Sequence, residues 1–194
     1  MSKFLGPIHY WLYGKIGHQE TLTRAVADHA AASDWIGDAL ACTKELPALE
    51  TVIDESNIHG WLQGQITDAE ARYAALVTEI LSGHGDRLDA LKQICFQFGK
   101  ENALPADADA SQAYQAFENF FVNGMPCDRV NMLTEQSADA VSWEMAQDIH
   151  AQYWTNDQSN LYYILRKAVM DGMLADTTLK LEMPDTYHYT ILRK

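Results

Sequence analysis

Two long stretches without proline constrain most strongly what this chain can become. Over residues 8–32, just after Pro7, and over residues 50–82, just after Pro47, apolar side chains recur every three to four positions, the period of a helix with one buried side. Proline is tolerated in a first helical turn. Thr51 with Asp54 resembles a capping box, and Gly83-His84-Gly85 stops the second stretch. Helical patterns also cover residues 33–46, 86–102, 111–122, 127–134, 138–154 and 160–174. Residues 176–192 differ, alternating with period two around Pro184-Asp185, which predicts a β-hairpin. The expected fold is therefore mainly α-helical. It is an up-and-down bundle of about five to seven helices with a small C-terminal β-hairpin, in one domain over residues 1–194.

The two long stretches echo each other. Ile8-His9-Tyr10-Trp11-Leu12-Tyr13-Gly14-Lys15-Ile16 and Ile58-His59-Gly60-Trp61-Leu62-Gln63-Gly64-Gln65-Ile66 match at six of nine positions, at an offset of 50. Glu20 and Glu70 follow at the same offset. Such similarity suits a duplication, although two copies do not require one. At about 100° per residue, a histidine and a glutamate eleven positions on lie about 20° apart around a helix. His9, Leu12, Ile16 and Glu20 thus share the apolar side of one helix, as His59, Leu62, Ile66 and Glu70 do on the other. Charged groups on an apolar side need a partner or a metal. If the helices run antiparallel with the echoes centred, His9 faces Glu70 and Glu20 faces His59. Helix rise sets His and Glu of one helix about 16 Å apart, so each site must draw on both helices and a third ligand. His150 is the candidate third ligand. This donor set suits iron, manganese or zinc. The same pairs also fit satisfied polar contacts within a core.

The formal net charge is −13. Such a field repels phosphate backbones and anionic lipid, so neither nucleic acid nor a membrane is an expected partner. Cys42, Cys95 and Cys127 are far apart and odd in number, which points to a reducing, cytoplasmic setting rather than a disulfide framework. Cys127 stands at an expected helix start, where the dipole favours a reactive thiolate, and is the candidate catalytic nucleophile. Trp143 and Trp154 flank His150 in the expected helix 138–154 and are candidates for holding a planar cofactor.

No phosphate loop, nucleophile elbow or dinucleotide fingerprint occurs. Three functions remain in view. One is a metal-binding or redox-linked bundle with its His/Glu site between the two long helices. Another is a non-enzymatic module that forms a homodimer or binds a partner through the Trp11 and Trp61 sides. The last is a small-ligand pocket lined by Trp143, Trp154, Phe117 and Phe121.

Overall fold

The computed structural model describes residues 5–155 and 158–194. The fold is mainly helical with a small antiparallel sheet. Six α-helices are present among these residues: α1 (Pro7–Ala32), α2 (Leu49–Val52), α3 (Ile58–Leu81), α4 (Leu88–Glu101), α5 (Ala110–Phe120) and α6 (Ser159–Met173). Pro7 opens α1. The Asn57 side chain accepts from the Gly60 N–H and starts α3, which separates it from the single turn of α2. Asp109 and Gln112 form a reciprocal capping box on α5.

The long helices α1 and α3 run parallel, not antiparallel. His9 meets His59, Tyr13 meets Trp61 and Glu20 meets Arg72, so facing residues differ by 50, 48 and 52 positions. The connection over residues 33–57 carries the chain back along α1. Its only helical pieces are a three-ten turn, Ala39–Cys42, and α2. The expected helix over 33–46 is therefore largely absent. A 26-residue helix spans about 39 Å, and 25 residues of open chain reach well beyond that. Tyr13 anchors the return by donating to the Pro47 carbonyl, and Lys44 does so through Gln65 and Asp68 of α3.

Four strands form one antiparallel sheet: β1 (Asn131–Gln136), β2 (Ala140–Met145), β3 (Leu179–Glu182) and β4 (His188–Arg193), in the order β1-β2-β4-β3. The C-terminal hairpin β3–β4 is as the sequence predicts. The helices predicted over 127–134 and 138–154 are instead β1, β2 and a loop with one three-ten turn. The reason is visible in β2. Val141, Trp143 and Met145 are buried and alternate with half-buried Ala140, Ser142 and Glu144, a period of two. Pairing with β4, including the Ser142–Thr190 hydroxyl contact, overrides the helix-forming composition.

Most of the core lies between the sheet and α3, α4, α5 and α6. Helices α4 and α6 cross in direct backbone contact. A Cβ on Gly99 would stand 2.1 Å from the Val169 carbonyl oxygen, and one on Gly172 would stand 2.1 Å from that of Phe96. A smaller core, with Leu12, Ile16, Leu62, Ile66 and Val122, joins the first halves of α1 and α3.

Candidate functional site

The parallel alignment sends the echoed residues to three separate places. At the helix starts, His9 Nε2 and His59 Nε2 lie 3.3 Å apart. His9 Nδ1 accepts from the Gly6 N–H at 2.9 Å, so a neutral His9 carries its proton on Nε2 and donates to His59. That leaves no lone pair on His9 for a metal. Three turns further on, Glu20 is clamped in a bidentate ion pair by Arg72, which also reaches Asp68. Glu20 does not face His59, and Glu70 does not face His9. Among the described residues, no group of three or more His, Cys, Asp and Glu side chains is gathered for a metal ion.

Glu70 does meet His150. Both are fully buried, and His150 Nδ1 lies 3.1 Å from each Glu70 oxygen. Asp148 sets the imidazole in place. Its Oδ1 accepts from the His150 and Ala151 N–H groups and from the Tyr163 hydroxyl, closing a turn that aims His150 inward. Tyr162 stacks on the ring with centroids 3.8 Å apart. A carboxylate only accepts, so Nδ1 carries the proton and Nε2 turns its lone pair to Arg166 Nη1 at 3.4 Å. The result is a buried carboxylate–imidazole–guanidinium chain. His150 is not a helix residue flanked by Trp143 and Trp154, and both of its nitrogens are engaged. A crevice of about 60 Å³, lined in part by Glu70, His150, Gly124 and Asp128, reaches its outer side.

On the other side of the 123–130 loop lies a second cleft, of about 170 Å³. Lys15 of α1, Glu118 of α5 and Asn123, Arg129 and Asn131 supply its polar lining, with Trp11 and Met125 among its apolar walls. Lys15 is only 2 % exposed, and its Nζ lies 4.1 Å from the Trp11 ring centroid. It makes no hydrogen bond to another described residue. Burial, the largest influence, pulls its ammonium from 10.5 to about 8; nearby Glu118 opposes this and Arg166 adds to it. The Oδ1 atoms of Asn123 and Asn131 are buried without partners, while the Asn131 amide donates to Glu118. The loop is held in uncommon backbone. Gly124 has φ +70° and Arg129, a non-glycine residue, φ +47°. A larger hollow of about 450 Å³ is lined by Glu20, paired to Arg72, by Lys44, paired to Asp68, and by Arg24 and Glu45, which make no ion pair with another described residue.

The remaining candidates fall elsewhere. Cys127 is exposed, in a three-residue three-ten turn and beside Asp128. The helix whose dipole was to activate it does not form. Trp143 is a core residue stacked on Tyr189, and Trp154 is buried against Tyr73 and Tyr162. Trp11 and Trp61 are half-buried and engaged within the chain, Trp11 by donating to Asn119 and Trp61 by packing on Tyr13. Lys15, Glu118, Arg129 and Arg166 were missed. One available signal was the spacing of Trp11 and Lys15, four apart on one helix face. The other was a lone arginine among the aromatic residues of 160–174.

Comparison of the chain with protein-family models, with curated proteins and with solved structures found no match. No helix among the described residues is long and apolar enough to cross a membrane.

Proposed function

We propose that the chain binds a small anionic metabolite in the Lys15 cleft, with Lys15 as the group that engages it. The observation that carries this reading is a buried ammonium, without a hydrogen-bond partner among the described residues, on the wall of a polar cleft. Burying most of such a side chain costs stability, and groups kept at that cost concentrate in functional sites. Arg129 at the rim makes no ion pair with another described residue, so the cleft is a basic spot within an acidic protein. Arg166, fixed by His150 and Glu70, lies behind Lys15 and keeps its ammonium acidic. The Glu70–His150–Arg166 chain therefore acts as a support for the cleft rather than as a metal centre.

The test is a two-dimensional NMR titration of the tryptophan indole signals with pyruvate, acetate, glycine, succinate and phosphate. The Trp11 signal is expected to move with at least one of them, and Trp35, packed over Arg87, to stay still. If no compound moves Trp11 more than Trp35, the reading fails. Self-association has one observation in its favour. Met132 and Leu133 are exposed on the outermost strand, β1, an edge open to pairing with a second copy. A homodimer by light scattering that becomes a monomer in Leu133→Lys supports it, and a monomeric wild type refutes it.

A further inference from the structure

We propose that Lys15 forms an imine with a small 2-oxo acid held in the cleft by Arg129, a step that rests on the ligand-binding reading above and extends it to covalent chemistry. An amine can do two things to a bound metabolite: hold an anion as ammonium, or attack a carbonyl carbon as free amine. The surroundings of Lys15 favour the second. Its side chain is 2 % exposed and pairs with no carboxylate within 4 Å among the described residues. Burial, reinforced by Arg166, lowers the ammonium to about 8. At pH 7 it then holds roughly 300-fold more free amine than an ordinary surface lysine. Desolvation beside a second cation is a recognised way of activating a lysine nucleophile.

The cleft also supplies the groups a carbonyl addition needs. A 2-oxo acid carries its electrophilic carbon directly beside a carboxylate. One amine (Lys15) and one guanidinium without an ion-pair partner (Arg129) line a single space of about 170 Å³, which suits a molecule of that size and bipolar form. Arg129 is fixed at the rim in a left-handed conformation that side-chain-bearing residues rarely adopt. A guanidinium binds a carboxylate through two parallel hydrogen bonds. In the reaction the Lys15 nitrogen attacks the carbonyl carbon, and a C–N bond forms as the C=O π pair moves to oxygen. Both amine protons pass, one after the other, to that oxygen, relayed by Glu118 of the same cleft wall through an intervening water. The oxygen leaves as water while the nitrogen lone pair completes the C=N bond, so one carbonyl compound and one amine give one imine and one water.

The experiment treats the full chain with pyruvate and sodium cyanoborohydride at pH 7, followed by intact mass measurement and peptide mapping. One reduced pyruvyl adduct per chain is expected, on Lys15, at least about tenfold above any other lysine. It is expected to vanish in Lys15→Met, whose fold is checked by circular dichroism. An adduct spread over surface lysines, or none on Lys15, overturns the imine. If the Trp11 indole signal still responds to pyruvate in that case, ligand binding in the cleft stands without covalent chemistry. If it does not respond to any of the five compounds, both proposals fall.

Discussion

Replacing Lys15 with methionine is expected to stabilise the protein at neutral pH, by an amount that disappears in alkali. The side chains are similar in volume, so the core of α1 keeps its packing. What changes is a buried charge. Its folded pKa lies below its unfolded value, so between about 8 and 10.5 the unfolded chain binds more protons at this site than the folded one does. Wild-type stability therefore rises with pH across that window and is flat below it. A lowering from 10.5 to about 8, at about 1.4 kcal/mol for each pH decade, amounts to about 3 kcal/mol. Loss of the contact between Nζ and the Trp11 ring returns about 0.5–1 kcal/mol. The net gain at pH 7 is thus about 2 kcal/mol. The assay is urea unfolding of wild type and Lys15→Met, followed by far-ultraviolet circular dichroism at pH 7 and pH 10. Tyrosines and cysteines titrate alike in both proteins and cancel in the difference. A variant less stable than wild type at pH 7, or a difference that does not change with pH, would refute the reasoning.

Glu70→Leu is expected to cost about 3–5 kcal/mol by urea unfolding, because it strands Arg166 and His150 without their buried anion; a cost below about 1 kcal/mol contradicts the chain as described. Gly99→Ala should cost at least about 1–3 kcal/mol, since the added methyl meets the Val169 carbonyl in the α4–α6 crossing; an unchanged urea midpoint would show that the helices part easily. Cys127 should label fastest of the three cysteines with a thiol probe at pH 7. It is exposed, whereas burial pushes the Cys95 thiol up to about 12 and raises that of half-buried Cys42. Native-state labelling that favours Cys42 over Cys127 would reverse that order.

Where a helix depends on its own sequence, its limits were legible. The proline-free stretch after Pro7, the helical pattern from residue 111 and the glycines after residue 82 mark α1, the start of α5 and the end of α3 to within a few positions. The direction of α3 against α1 was not legible, because an open connection can either turn back at once or return along the helix. The contacts of Tyr13 and Lys44 decide for the return. Strands β1 and β2 were hidden by helix-forming alanine, glutamate and methionine. The conformation of β2 is set by pairing with β4, more than forty residues later in the chain, and that of β1 by pairing with β2. The apolar stripe brought Glu70 into view and the flanking tryptophans brought His150, and these two do meet. Their third partner, Arg166, lies on a helix whose sequence reads as an ordinary amphipathic one. Lys15 shows the limit most clearly. Within α1 it is one cation among polar neighbours. Its burial is created by Glu118 and the 123–131 loop, about a hundred residues away.

The most direct measurement of the central claim is the titration of the Lys15 side chain itself, followed by NMR of the lysine Cε and Nζ resonances over pH 6–11. The Lys15 signal is identified by its absence in Lys15→Met. A midpoint near 8, well apart from the surface lysines near about 10.4, is the result expected of a buried amine on the wall of a cleft with no hydrogen-bond partner among the described residues. A Lys15 signal that titrates together with the surface lysines would mean that the ammonium is solvated or paired, and would contradict the account.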